Sequence, residues 1–312
     1  MLDQAVFRAV GGAKRVLIAG CGGSYDVMGA VPLLHALRTA GIEVELASLS
    51  FAQLNGLAGA RRDPQIANLY AVGATSASPR TYCPEAHLAK FLDAAEIGSE
   101  HVIWCFDKTG VRPLAAAYAA VVERLSIDAI ILVDGGIDAL LRGDETSIGT
   151  PSEDLTSLAA ATSLDIPTVL ACVGMTTELR EGIAHAQVFE RIAELSRDGA
   201  YLGATALVPG TPACDLFVRA LEAVFEGQST QKQSQVHRWI LRAIRGEFGT
   251  VEPKVWLSPL ASMFWFFDAR AVAATHHFLD SLRDTESIWD VSARIQRARR
   301  EMSIMERTAI PI

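Results

Sequence analysis

Twice in this chain a short apolar run turns directly into glycine and then aspartate. Residues 16–19 lead into Gly20-Cys21-Gly22-Gly23-Ser24-Tyr25-Asp26, and residues 129–133 lead into Asp134-Gly135-Gly136-Ile137-Asp138. Apolar runs of this length closed by turn residues read as strands buried on both faces, which is the situation of a parallel sheet covered by helices. If the two strands run parallel, both turns open at the carboxyl edge of the sheet, where open α/β sheets bind their ligands.

The rest of the chain fits that frame. Strands are expected over 14–19, 44–49, 67–72, 101–106, 128–133 and 167–173. Helices are expected over 27–40, 84–95, 114–125 and 154–163, with Pro32 making the first turn of the first one irregular. Pro113 opens the third helix, and Thr150-Pro151-Ser152-Glu153 reads as a capping box with proline at the first helical position. Strand and helix thus alternate through at least five units, the pattern of a doubly wound, mostly parallel, Rossmann-like α/β sheet. Beyond it, 184–196, 212–226 and 235–245 read as helices, 255–257 as a last strand, and two more helices follow. The aromatic segment 262–268 reads as core or as a wall of the ligand site. The expected organisation is a single α/β domain over 1–312. Residues 1–180 form a sheet core with the site loops, and 181–312 form a mainly helical C-terminal extension packed on it.

Half of the 312 residues are hydrophobic, enough for a buried sheet with helices on both faces. A net charge of −8 is wrong for binding nucleic acid through phosphates, which needs a basic face. The one dense basic run, Arg294 to Arg300, has the spacing of a solvated helix face. No apolar stretch approaches the ~18 residues of a membrane span, and residues 1–5 lack the pattern of a secretory signal. The five cysteines are dispersed with no CxxC pair, so they read as buried thiols of a cytoplasmic protein. The partner expected is a small-molecule ligand, with neither nucleic acid nor membrane; a homo-oligomer is compatible with the sequence.

Gly20, Gly22 and Gly23 allow close backbone approach to a ligand and, with Ser24, present N–H groups where an anion would bind. The stretch is not a full GxGxxG, and Asp26 puts a negative charge where a phosphate would sit. That favours a ribose, an amine or a metal-bridged phosphate; the plain alternative is a tight turn with Asp26 as an N-cap. Asp134, Asp138, Asp144 and Glu145 share one loop with Gly135 and Gly136. Converging carboxylates are tolerable if solvated, if one is protonated, or if a hard cation sits among them. One reading is a Mg²⁺ or other divalent site with Asp134 and Asp138 as ligands. The other is a loop whose acids bind ligand hydroxyls while Asp144 and Glu145 are simply exposed. Glu153 is a catalytic candidate beside Asp134 and Asp138, although the capping box also explains it. Asp107, at another strand end with Lys108 and Thr109, can join the ligand-binding set. His237, His276 and His277 lie on helices and read as packed or surface side chains. Serine-hydrolase, Walker-type and zincin motifs are absent.

Gly20-Cys21-Gly22-Gly23-Ser24-Tyr25-Asp26-Val27-Met28-Gly29-Ala30, Val133 to Asp138 and Gly149-Thr150-Pro151-Ser152-Glu153-Asp154 together resemble the family known as domain of unknown function 1152. The aromatic segment ending at Asp268 adds to the match, and the stretches span most of the chain. The resemblance implies a Rossmann-like fold and carries no general activity. Cys21 and Ser24-Tyr25 depart from a glycine-richer first turn. Asp134 to Asp138 also loosely resembles the acidic strand-end motif of nucleoside hydrolases. The expectation is an enzyme that hydrolyses, or transfers a group from, a nucleoside-, nucleotide- or sugar-like substrate. A non-catalytic nucleotide- or metabolite-binding module and an NAD(P)-dependent oxidoreductase are the alternatives.

Overall fold

A computed structural model describes residues 5–10, 12–95, 100–177, 182–252 and 255–306. The expected boundary between 180 and 181 lies outside them. Five parallel strands form the centre of one sheet: β1 (Arg15–Gly20), β2 (Glu43–Leu49), β5 (Ile103–Phe106), β6 (Ala129–Asp134) and β7 (Thr168–Val173). Their order is β5-β2-β1-β6-β7. The strand following β1 thus lies on one side of it and β6 on the other. The crevice between β1 and β6 is the switch point of a doubly wound sheet.

Both edges are extended by antiparallel strands. β4 (Leu69–Val72) pairs with β5 and β3 (Arg61–Arg62) with β4. On the far side β11 (Met263–Asp268) lies between β7 and β8 (Tyr201–Ala206). The last third therefore supplies two strands of the main sheet that its sequence pattern does not announce. The strand at Val255–Leu257, β10, instead forms a separate hairpin with β9 (Gly249–Glu252). The aromatic segment is core, and alternation explains how: Phe264 and Phe266 enter one layer and Phe267 the other.

Every residue of β6 and β7 is buried, because helices cover both faces. Val16 and Ile18 of β1 pack into the layer of α2 (Ala30–Thr39), α3 (Pro84–Ala94), α7 (Pro212–Gly227) and α8 (Gln235–Ile244). Leu17 and Ala19 face α4 (Val111–Leu125), α5 (Ser152–Thr162), α6 (His185–Arg197), α9 (Ala269–Ala274) and α10 (Ile288–Glu301). A short helix, α1 (Ala5–Ala9), lies against β8 and β11. Among the described residues no helix is long and apolar enough to cross a membrane.

The first long helix opens irregularly as expected, and two other helix starts differ from expectation. The irregular opening of the first long helix is a 3₁₀ turn, Asp26–Gly29, with Pro32 at the third position of α2. α4 begins at Val111, ahead of Pro113, because the chain at 285–286 caps it. Val111 N–H donates to Thr285 Oγ1 (3.0 Å) and Arg112 N–H to the Thr285 carbonyl (3.1 Å). The capping box at 150–153 does not form. Pro151 is the N-cap residue of α5 and offers no side-chain hydrogen bond. The Thr150 N–H donates instead to Asp138 Oδ2 at 3.1 Å.

Candidate functional site

β1 and β6 end side by side, with Gly20 paired to Val133 and the Cys21 N–H donating to the Val133 carbonyl. The two glycine turns therefore leave the sheet on either side of the switch point. Between them opens a cleft of about 500 Å³ lined by Gly22, Gly23, Ser24, Asp26, Asp134, Gly135, Asp138, Thr150 and Asp154. That volume suits a nucleoside- or disaccharide-sized molecule. Phe51 and Tyr82 form an aromatic side, and residues 231–234 with Val236 form the opposite one. Phe51 is 42% exposed, and Lys108 Nζ stands 4.1 Å from its ring centre.

Four carboxylates make the floor. Asp26 folds back onto its own turn, where Oδ2 accepts from the N–H groups of Gly22 (2.6 Å) and Gly23 (3.1 Å). The Gly135 N–H also donates to this carboxylate. A protein carboxylate thus holds the N–H groups that a phosphate would take in such a turn. Asp134, the last residue of β6, accepts from the Ala139 N–H (3.1 Å) and lies 3.9 Å from the Cys172 thiol. Asp138 opens a 3₁₀ turn, Asp138–Leu140, and anchors Thr150. Asp154, in the first turn of α5, accepts from the Cys21 thiol at 3.6 Å. A Cβ on Gly22 would overlap the Asp154 carboxylate, so glycine there is what lets α5 reach the first turn.

Oxygens of Asp134, Asp138 and Asp154 lie within 4.8 Å of one another, and so do ligand atoms of Cys21, Asp26 and Asp154. Burial opposes ionisation of Asp26, Asp138 and Asp154. It raises Asp26 to about 7, against the pull of three backbone N–H groups, and Asp138 to about 6. Asp154 is raised well above the carboxylate range, first by burial and then by the charges of Asp138, Asp134 and Asp26.

His237, on α8, is the neighbour of this floor. It is 1% exposed, and burial lowers it to about 4, so it is neutral at pH 7. Ser234 Oγ accepts from the His237 backbone N–H and lies 2.9 Å from Nδ1, while Nε2 has no partner among the described residues. A Cβ on Gly135 would stand 2.6 Å from Asp26 Oδ1, 2.7 Å from His237 Cε1 and 3.3 Å from Nε2. The imidazole and Asp26 therefore converge over Gly135.

Of the residues singled out from the sequence, Gly22, Gly23, Ser24, Asp26, Asp134, Gly135 and Asp138 line the cleft. Gly20 and Gly136 stand behind it. Gly20 closes β1 and Gly136 is buried in the turn. Asp107 follows the end of β5, two strands from β1. Glu153 lines a separate groove with Ser292 and Arg299 and lies 3.8 Å from Lys108. Asp144 and Glu145 turn away and are not simply exposed. Asp144 pairs with Arg142 and His277, and the buried Glu145 accepts the N–H groups of Arg142 and Gly143, both at 2.8 Å. Asp154 is the lining residue that sequence reading missed, because it stands beside the capping candidate Glu153. His237 is packed, as its place on a helix predicts, and its ring reaches Gly135 at the edge of the cleft.

Fold and site together define a Rossmann-like α/β protein with a carboxylate-floored cleft at its switch point. The chain belongs to the DUF1152 family, described as a protein of unknown function, whose match covers residues 17–305. Among solved structures it is similar to N,N'-diacetylchitobiose deacetylase from Pyrococcus horikoshii complexed with its inhibitor MPG. The identity is 14%, over 85% of this chain and 88% of that one, with a TM-score of 0.39. A likeness of that degree says nothing about chemistry. No curated protein matches.

Proposed function

We propose that this protein is a cation-assisted enzyme that hydrolyses, or transfers a group from, a small hydroxyl-rich substrate of nucleoside or sugar type. The observation that carries the reading is the floor of four carboxylates, Asp26, Asp134, Asp138 and Asp154, under a ligand-sized cleft. Raising Asp26 from 3.8 to about 7 corresponds to roughly 4 kcal/mol against ionisation. A divalent cation held among these oxygens would favour the ionised form and so act against that cost. The donor set fits such an ion: Asp134, Asp138 and Asp154 are hard oxygen donors suited to Mg²⁺ or a similar metal. When bound, the ion supplies Lewis acidity and a more acidic water.

The chain's own groups have separable tasks. Asp26, with Oδ2 held by two backbone N–H groups, keeps the first turn closed and offers its other oxygen to a ligand. Ser234 Oγ, hydrogen-bonded to both the His237 backbone N–H and Nδ1, fixes the imidazole and leaves Nε2 for a ligand atom. Phe51 offers a stacking face for a base or sugar ring, and the Gln231 amide oxygen lies at the cleft for a substrate hydroxyl. Occupation of Gly22 and Gly23 by Asp26 counts against a dinucleotide at this turn. That all five cysteines are buried thiols supports a cytoplasmic setting.

The test is a panel of nucleosides, nucleotides, glycosides and acylated sugars, with and without Mg²⁺ or Mn²⁺, reading melting temperature and product together. Cation-dependent product that Asp134→Asn abolishes is expected. A melting shift with no product from any class would make the protein a metabolite-binding module.

A further inference from the structure

The two ligand groups on the cleft floor are not alike, and they share a residue. One consists of Asp134, Asp138 and Asp154; the other adds the Cys21 sulfur to Asp26 and Asp154. Asp154 is the member common to both, and its position is peculiar. It is 5% exposed, pressed against Gly22, and its hydrogen-bond donor is a thiol. A thiol is a weak donor, so the carboxylate at the centre of the cluster lacks the compensation that a buried charge requires. Its three neighbours are also carboxylates. With the Cys21 thiol ionised as well the cluster would carry five negative charges, more than one divalent ion can balance.

A second observation, independent of the acids, also calls for a ligand. His237 is buried with Nε2 unpartnered, and its ring and Asp26 Oδ1 converge over Gly135. Beside Asp26, over Gly135, there is thus a polar atom that the described chain leaves unsatisfied.

We infer that the floor is a two-cation site bridged by Asp154, with an oxygen-only half at Asp134 and Asp138 and a sulfur-containing half at Cys21 and Asp26. The inference rests on the cation-assisted reading and deepens it. The halves differ in preference. Carboxylates alone suit Mg²⁺ or Mn²⁺, whereas a thiolate beside carboxylates selects a softer ion of the Zn²⁺ class. As the sulfur–metal bond forms, the thiol proton leaves to solvent. Cys21 then has a use that its burial in the apolar layer of α4 and α5 does not by itself supply.

The experiment uses the full chain stripped by a chelator, then dialysed against Zn²⁺, Mn²⁺ or Co²⁺, with metal content and absorption measured. Two equivalents of Zn²⁺ or Co²⁺ are expected, together with a near-ultraviolet sulfur-to-cobalt charge-transfer band. Cys21→Ser should lose the band and one equivalent, with Zn²⁺ affinity falling at least tenfold, while Mn²⁺ binding stays unchanged. Asp154→Asn should weaken both halves; Cys21→Ala and far-ultraviolet circular dichroism guard against simple misfolding. A single equivalent in the wild type, or a band that survives Cys21→Ser, overturns the two-cation site and leaves the cation-assisted reading standing. A wild type that binds no divalent ion removes both.

Discussion

Asp26 illustrates how one residue can be both a structural tie and a reactive group. Its carboxylate holds the first turn closed through Gly22 and Gly23, while burial keeps it near half-protonated at neutral pH. Its native value lies above the ordinary 3.8, so the folded state holds the extra proton. The stability this gives is complete below about pH 4 and lost as pH rises through about 7. Asp26→Asn should therefore match the wild type near pH 4 and exceed it progressively towards pH 8 in metal-free buffer, by up to roughly 4 kcal/mol. Chemical denaturation at a series of pH values measures the difference; a constant gap would show that the fold does not hold Asp26 protonated. Gly135 makes an opposite prediction. A methyl group there meets Asp26 Oδ1 and His237 Cε1 well inside contact distance, so Gly135→Ala should cost about 1–3 kcal/mol at every pH. The same denaturation series reads it.

At the scale of elements, α8 carries a wall of the cleft and His237 at once. Ser234 both caps the helix and fixes the imidazole. Ser234→Ala should lower stability by about 1 kcal/mol and weaken binding of any substrate identified in the panel, whereas Ser234→Thr, which keeps the hydroxyl, should restore both. Helix starts are also where local pattern failed. Thr150-Pro151-Ser152-Glu153 has the letters of a capping box, but Asp138 competes for the Thr150 N–H from another part of the chain. Val111 and Arg112 begin α4 because Thr285, 174 residues away, accepts from Val111. Neither partner is near in sequence, so no local rule can find it.

For the whole molecule, cation binding and proton binding compete for one set of buried carboxylates. Saturating Mg²⁺ or Zn²⁺ should raise the melting temperature more at pH 8 than at pH 5, because the acids must ionise to bind. At a hundred times the dissociation constant the stabilisation is about 2.7 kcal/mol. Scanning calorimetry at the two pH values checks the sign, and a larger shift at pH 5 would contradict competition.

Much of this architecture is written in local pattern. Apolar runs such as Ile130 to Val133, buried on both faces, mark parallel strands, and the glycines and acids that follow them mark the edge where a cleft opens. Those features depend on side-chain period and turn chemistry, which neighbouring residues settle among themselves. Membership of the site is a different matter. Asp154 and His237 join it, Asp144 and Glu145 leave it, and β11 slips between β7 and β8, because helices and strands far apart in sequence pack at particular angles. Which carboxylate ends up buried beside other carboxylates depends on what lies across the sheet edge, and only folding brings that neighbour within reach.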